Sequence, residues 1–233
     1  MTMNAESPRL DIGKRQQLPD EVAGYVRELI LSGQVRPGEL LRLEAVASAL
    51  GVSSTPVREG LLALTREGFV SQAPRRGFIV APFTRDDVRD LFWAQGWLSG
   101  ELAARAAGKM TAEQLDRMEQ LNKDYEAASM VGDMESISNI GHAFHREVNL
   151  AGESIRLATL VGSVVRALPL RFYSTIDGSI DASVGEHPAI LEALRQKDSA
   201  KVRTLMEEHI SKGADRLIKS LEVLGLWSEN SQN

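Results

Sequence analysis

The residue types best suited to binding chemistry in this sequence are its four histidines, which all lie in the second half of the chain. His142 and His145 are three residues apart, so in a helix they share one face. His209 falls on the apolar stripe of a predicted helix, and His187 directly precedes a proline at the predicted start of another. Imidazoles that converge from three helices can bind Zn²⁺ or a similar transition metal, whereas a single inward histidine is more often a hydrogen-bonded core residue. Spacing alone leaves both interpretations open.

The composition excludes several other kinds of site. The chain has 233 residues and no cysteine, so it has no disulfide framework, no thiolate metal site and no thiol nucleophile. No apolar run reaches the roughly 18 residues that a membrane-spanning helix needs. The polar residues 1–17 predict a flexible leader rather than a secretory signal. We therefore expect a cytoplasmic protein without a membrane segment.

The charges are distributed unevenly along the chain. Residues 1–82 hold 10 lysines and arginines against 9 acidic residues, whereas the remainder holds 17 against 23. A less acidic N-terminal part on an acidic body fits a small DNA-binding module attached to a larger domain with another role.

The elements that must position these side chains change in type near residue 83. Residues 18–82 predict helices at about 20–32, 43–50 and 53–67, followed by β-type runs at 68–72 and 77–80. Residues 83–226 predict helices near 84–107, 111–131, 134–151, 154–174, 184–196 and 199–222, with no strand pattern. The predicted fold class is therefore mainly α, with an N-terminal winged helix-turn-helix, a C-terminal all-α helical bundle and a flexible tail at 227–233.

The order of helix, tight turn, helix and hairpin predicts DNA binding, because the second helix of such a pair lies in the major groove with its N-terminal residues facing the bases. One turn further along that helix, an arginine can reach a phosphate or a guanine, and arginines at the hairpin tip can reach the backbone or minor groove. A protein-binding winged helix has the same elements and remains an alternative. The predicted DNA-contacting residues are Ser53, Ser54, Thr55, Arg58, Arg75 and Arg76.

Over residues 18–82 the sequence closely resembles the GntR family of bacterial regulators. The resemblance is carried by the run Val52-Ser-Ser-Thr-Pro-Val-Arg-Glu59 and by the wing Pro74-Arg-Arg-Gly77. It implies DNA contacts from Ser53, Thr55 and Arg58, with Gly77 in the wing. Many members carry arginine at the position of Ser54, so a base-reading arginine is missing here and the operator preferences of those relatives do not transfer.

The helical part, over about residues 84–222, resembles the FadR subgroup of the same family through Phe144-His-Arg146, Glu186-His187 and Met206-x-x-His209. In relatives, three histidines and an aspartate bind a divalent metal, which often holds a carboxylate effector. The resemblance assigns His145, His187 and His209 as ligands. The aspartate is replaced by Gly141, and His142 is the candidate fourth ligand. A three-histidine site completed by water or effector, and histidines that bind an effector without metal, are the alternatives.

The first helix of this part departs from the subgroup, because relatives often carry arginine and glutamate where Gln95 and Ser99 stand. With Trp93 and Trp97 nearby, this predicts an effector pocket of altered shape and lower polarity. We assign Gln95, Ser99 and Arg171 to that pocket. The expected effector is a small organic acid or a more apolar ligand such as an acyl chain.

The sequence as a whole predicts a homodimeric transcription regulator that binds a palindromic operator, because two reading heads must meet two half-sites about one helical turn apart. Effector and DNA would then change each other's affinity reciprocally. The alternative from another class is a metal-dependent hydrolase in which the histidines activate water. No His-Glu-x-x-His pair or evident general base accompanies the histidines, and the winged helix would be unexplained. We therefore predict that the chain is not an enzyme.

Overall fold

The first of two units ends at Phe83 and combines three helices with three short strands. In this computed structural model, the described residues are 12–167, 179–223 and 225–227. The helix-turn-helix and hairpin follow the order that the sequence predicted, and a two-residue strand is added. The elements are α1 (Ile12–Leu31), β1 (Leu40–Leu41), α2 (Leu43–Leu50), α3 (Ser54–Arg66), β2 (Val70–Ala73) and β3 (Gly77–Val80).

Helices α1 and α3 approach each other closely because Gly60 places no side chain between them. A Cβ at Gly60 would lie 2.8 Å from the carbonyl oxygen of Pro19 and 2.9 Å from the Cβ of Val22. Leu61 and Leu64, on the same side of α3, are fully buried. Burial of such side chains stabilises the fold by about 1.5–3 kcal/mol each, so α3 is held firmly against α1.

The turn between α2 and α3 has the geometry that the sequence predicts. Gly51 follows α2 in the left-handed region, with φ 66°, where glycine is the favoured residue. Ser53 is the extended residue that precedes α3, and its side chain makes no capping hydrogen bond. Two residues therefore separate the sharp turn at Gly51 from the start of α3.

Strand β3 lies in the centre of the small sheet, with β1 and β2 antiparallel on either side. Leu40 pairs with Ile79, and Ala73 pairs with Gly77 at the end of the β2–β3 hairpin. Strand β1 was not predicted, because two residues are too few to show the alternation that identifies a strand.

The second unit is helical throughout its described residues. Its elements are α4 (Arg85–Ala106), α5 (Ala112–Val131), α6 (Met134–Ala151), α7 (Ile155–Ala167), α8 (Ser179–Arg195) and α9 (Ser199–Val223). Capping boxes at Thr84 with Asp87 and at Thr111 with Gln114 fix the starts of α4 and α5. Among the described helices, none is long and apolar enough to cross a membrane.

Helices α4 and α9 pack along each other and form the centre of this unit. A Cβ at Gly213 of α9 would lie 2.5 Å from Cε1 of Phe92 on α4, so the glycine makes room for this ring. Met206 and Leu217 of α9 and Leu102 of α4 are fully buried beside it. Helices α5 to α8 pack around this central pair.

Three predicted boundaries are corrected. Helix α1 begins at Ile12 and so includes residues 12–17 of the predicted flexible leader, because polar residues with good helix propensity carry no apolar period. Helix α8 begins at Ser179 and continues through Pro188, although proline favours the first turn, so His187 lies inside the helix and not at its start. Trp227, assigned to the tail, contacts Arg85, with the guanidinium carbon 4.7 Å from the ring centroid. Residues 228–233 lie outside the described residues.

Candidate functional site

The N-terminus of α3 is the first candidate surface. Ser53, Ser54, Thr55 and Arg58 are all exposed there, whereas Val57 on the opposite face is fully buried. The first backbone N–H groups of a helix have no partner within the helix and attract phosphate oxygens. Within the described residues, Arg58 forms no salt bridge. Its guanidinium is therefore available to an external acceptor.

The tip of the β2–β3 hairpin is the second part of this surface. The backbone N–H of Arg76 donates to the carbonyl of Ala73 at 3.0 Å, and Arg75 has a φ of 62°. Pro74 at the second position and a positive φ at the third are features of a type II turn. Glycine is the usual residue at that third position, and a side chain there costs about 1–2 kcal/mol. The turn thus holds Arg75 in a strained conformation, a feature found at functional sites, and leaves both Arg75 and Arg76 exposed.

Three histidines meet in the second unit, one from each of three helices. His145 of α6, His187 of α8 and His209 of α9 bring their ligand nitrogens within 4.8 Å of one another. The Nε2 of His209 lies 3.3 Å from the Nε2 of His187 and 3.2 Å from that of His145. Two nitrogens bound to one tetrahedral zinc at about 2.0–2.1 Å would lie about 3.3–3.4 Å apart. The two distances at His209 therefore fit a tetrahedral metal site.

Burial keeps two of these imidazoles neutral, which is the form that binds a metal. Burial, followed by the nearby His209 and His142, lowers the pKa of His145 to about 3. Burial also holds the pKa of His187 well below its ordinary value, and His145 and His209 add to the effect. His187 is 2% exposed and His209 is 8% exposed, whereas His145 is partly open to a cavity.

Glu186 orients His209. The Nδ1 of His209 donates to Oε2 of Glu186 at 2.7 Å, and Nζ of Lys212 donates to Oε1 of the same carboxylate at 2.9 Å. These hydrogen bonds, the one from His209 first, lower the pKa of Glu186 to about 2 against the opposing effect of burial. An ionised carboxylate at Nδ1 leaves the Nε2 lone pair facing the other two histidines, as in the carboxylate–histidine pairs of metal sites.

The arrangement of the three Nε2 atoms is itself informative. With Nδ1 donating to Glu186, the Nε2 of His209 faces the Nε2 atoms of both other rings at 3.2–3.3 Å. A single hydrogen bond from this nitrogen can serve only one of the two contacts, whereas a cation between the rings can bind all three Nε2 atoms. The donor set, which is three imidazoles, suits zinc and similar transition metals. These residues therefore fit the divalent metal that the family resemblance implies.

Two buried donor nitrogens near the site lack a protein partner in the described part of the chain, namely Nδ1 of His145 and of His187. The side-chain oxygens of Asn149 and Asn122 are also unpartnered. Asn149 lines the same cavity as His145, and Asn122 lines a second cavity of about 350 Å³ with His187.

The main cavity has a volume of about 590 Å³ and contains the three histidines in its wall. This volume lies within the range of about 300–1,000 Å³ that is usual for small-molecule pockets. Two predicted pocket residues, Gln95 and Ser99 of α4, line it and are buried. Arg171, the third, lies outside the described residues. The apolar wall includes Phe92, Ile137, Leu150, Val161, Val165 and Ile210.

Trp93 and Trp97 do not shape this cavity, which corrects the sequence interpretation. They are 64% and 59% exposed, and their ring centroids lie 6.4 Å apart. Since Gln95 and Ser99 face the cavity, the tryptophans at 93 and 97 lie on the other side of α4. Sequence spacing placed all four side chains on one helix but did not show which face is inward.

Beside Gly141, where relatives carry an aspartate, lies a side chain from a neighbouring helix. A Cβ at Gly141 would lie 3.3 Å from Cε2 of Tyr125, and the Tyr125 ring centroid is 5.3 Å from that of His187. His142 is exposed and does not belong to the histidine cluster, so it does not stand in for the aspartate in this structure. Sequence spacing missed the roles of Tyr125 and Glu186, because each contacts a histidine on a different helix.

Comparison with known proteins agrees with the division of the chain into two units. The model of the bacterial regulatory proteins of the gntR family matches residues 18–80, and that of the FCD domain matches residues 90–212. The Escherichia coli regulator McbR is 25% identical over 84% of this chain and 90% of its own length. An HTH-type transcriptional regulator of Mycobacterium tuberculosis is 25% identical over 70% of this chain, and the match spans 65% of that protein's length.

The solved structure of E. coli McbR/YncC has the same fold, with a TM-score of 0.67 and 24% identity over 87% of this chain and 98% of that one. Each unit thus has a family assignment that agrees with its own geometry, and the FCD match alone covers more than half of the chain. The chain therefore belongs to the gntR family of bacterial regulatory proteins, as a DNA-binding transcriptional regulator with an FCD effector-binding domain.

Proposed function

We propose that this regulator binds a palindromic operator as a homodimer in the cytoplasm, and that an organic-acid effector in the histidine-lined cavity controls its affinity for the operator. We further propose that His145, His187 and His209 hold a divalent metal such as Zn²⁺. In this proposal Ser53, Ser54, Thr55 and Arg58 contact the bases and phosphates of the major groove, while Arg75, Arg76 and Gly77 form the contact of the wing.

The observation that carries the effector part of the proposal is the convergence of three Nε2 atoms on a cavity of about 590 Å³. When bound, the metal would supply a Lewis-acidic position that attracts carboxylate oxygens. The protein's own residues hold that position: Glu186 fixes the ring of His209, and burial keeps His145 and His187 neutral. The apolar walls of the cavity exclude water from the body of the effector.

The DNA-binding part is tested by measuring fluorescence anisotropy of a duplex selected from a random-sequence library. We expect the affinity to fall about 1,000-fold or more between 50 and 200 mM salt, because lysine and arginine contacts release counterions. The same titration with a divalent metal added, and then with a chelator, measures the coupling between the two sites. A coupled regulator changes its affinity by about 5- to 150-fold.

Two outcomes would count against this function. A protein that selects no duplex, or binds DNA without dependence on salt, would favour the protein-binding winged helix. Turnover of an ester or amide substrate that depends on His145 would favour the hydrolase. The structure offers the hydrolase little support, because Glu186, the carboxylate that contacts the cluster, is already paired with His209 and Lys212.

For the dimer we propose the exposed face of α4 around Trp93 and Trp97. Exposed tryptophans are enriched in interface centres, where they contribute much of the binding energy. The two tryptophans are one turn apart on α4, so the same apolar patch of a second copy can pack against them across a two-fold axis. We expect Trp93→Ser with Trp97→Ser to convert the dimer to monomer at micromolar concentration, as measured by analytical ultracentrifugation. Met130→Ser with Val131→Ser, which removes two other exposed apolar residues, is the control and should leave the dimer intact.

A further inference from the structure

The charged side chains that line the cavity with the histidines are all of one sign. Three arginines from three helices line it, namely Arg146 of α6, Arg166 of α7 and Arg216 of α9. No aspartate or glutamate lines it among the residues that the structure describes. The chain as a whole is acidic, with a net charge of −5, so a cavity wall with arginines and no carboxylate is a local departure from the composition.

Arg166 is exposed on α7, and its guanidinium makes a hydrogen bond within its own helix. Its Nη2 donates to Oγ of Ser163 at 3.2 Å, and Oγ of Ser163 donates to the carbonyl of Thr159 at 3.0 Å. A Cβ at Gly162 would lie 3.2 Å from Nη1 of Arg166, so the guanidinium lies back over the bare backbone of α7. Gly162 also lines the cavity. The absence of a side chain at 162 thus leaves space for the guanidinium on the cavity wall.

Within the described residues, Arg146, Arg166 and Arg216 have no carboxylate partner. Burial first, and then the positive charge of Arg146, lower the pKa of the nearby His142, which also lines the cavity. Unpaired guanidinium groups beside a cavity form strong charge-assisted hydrogen bonds with carboxylate or phosphate oxygens. The wall therefore favours an anionic group at a position separate from the histidines.

We infer that the effector is an organic dianion, with one anionic group at the three histidines, a second at the arginine wall, and an apolar segment between them. This inference rests on the proposed effector function of the cavity and adds the class of ligand. The volume of about 590 Å³ exceeds the needs of an acid of two or three carbons, and apolar side chains such as Ile137 and Val161 line the space that the middle of the ligand would fill. A dicarboxylate with a hydrocarbon or aromatic centre has the required chemistry.

The test compares straight-chain monocarboxylates and dicarboxylates of equal length, from four to ten carbons, by isothermal titration calorimetry on the full chain. The buffer contains no carboxylate or phosphate, and each series is run with and without Zn²⁺. At the best chain length we expect the dicarboxylate to bind about tenfold or more tightly than its monocarboxylate partner, because it gains charge-assisted hydrogen bonds. Equal affinity of the two at every length would overturn the inference.

Variants identify which residues hold the second carboxylate. Arg166→Met with Arg216→Met should remove the advantage of the dicarboxylate and leave the affinity of the monocarboxylate unchanged. Arg156→Met is the matched control, since Arg156 is exposed on the same helix as Arg166 and does not line the cavity. An advantage that survives the double variant, or is lost equally in the control, contradicts the assignment.

The same samples are tested for binding to the selected duplex, so that failure of the inference is separate from failure of the proposed function. If the duplex is bound but no dicarboxylate is preferred, the ligand class is wrong and the regulator function stands. If the dicarboxylate is preferred but the duplex is not bound, the ligand class stands and the regulator function is wrong.

Discussion

Replacing His209 with alanine is expected to remove the divalent metal from the protein. His209 is the central member of the cluster, because its Nε2 faces the Nε2 of both His145 and His187 at 3.2–3.3 Å. Without it a metal ion would keep only two histidine ligands, too few for a stable site. We expect about one metal ion per chain in the parent protein after dialysis and less than about a tenth of that in His209→Ala, with an affinity loss of about 1,000-fold.

The measurement is inductively coupled plasma mass spectrometry of the dialysed proteins, combined with competition against a chelator of known affinity. His142→Ala is the control and should keep its metal, since His142 is exposed and outside the cluster. Glu186→Gln should retain the fold but lower the affinity for the metal by about 10- to 100-fold, which is the usual effect of losing a carboxylate that orients a histidine ligand. Equal metal content in the parent protein and in His209→Ala would show that the cluster is not a metal site.

The helices and their order could be predicted because each depends on local signals. The capping boxes at Thr84 and Thr111 and the glycine after α2 act within a few residues of the chain. Strand β1 and the proline inside α8 are not reported by such local signals. Two residues become a strand only because β3 lies beside them, and Pro188 is tolerated in a helix interior that the sequence pattern treated as a first turn.

The cluster of His145, His187 and His209 could also be predicted, but only through the family resemblance. Residue spacing placed His142 and His145 on one face, yet the structure brings only His145 into the cluster. The interactions that tune the cluster join different helices: Glu186 of α8 binds His209 of α9, and Tyr125 of α5 lies beside Gly141 of α6. No periodicity in a single sequence reports such pairs, because they depend on how the helices are packed.

This packing also explains what surrounds Gly141, which stands where relatives carry an aspartate. A side chain at 141 would press on the ring of Tyr125, whose centroid is also 5.3 Å from that of His187. A side chain at 141 therefore requires the Tyr125 ring to shift by a few tenths of an ångström. The three histidines are left with an open side toward the cavity, where ligand oxygens can approach.

Replacing Arg58 with alanine is expected to abolish operator binding at physiological salt while leaving the fold intact. Arg58 is exposed one turn into α3, and Val57 beside it is fully buried, so truncation at 58 removes no core contact. A bidentate arginine–guanine contact contributes about 1–3 kcal/mol. A dimer loses this contact in both half-sites, so the affinity should fall by about 100-fold or more.

The measurement is the anisotropy titration with the selected duplex, together with thermal unfolding of both proteins. Arg66→Ala is the matched control, because Arg66 is an exposed arginine in the last turn of the same helix, away from the groove-facing end. It should lower the affinity only slightly, through the loss of one positive charge. The contrast is informative because Ser54 stands where many relatives carry arginine, so Arg58 is the one arginine that the N-terminal half of α3 presents. Unchanged affinity in Arg58→Ala would transfer base recognition to Ser53, Ser54 and Thr55 alone.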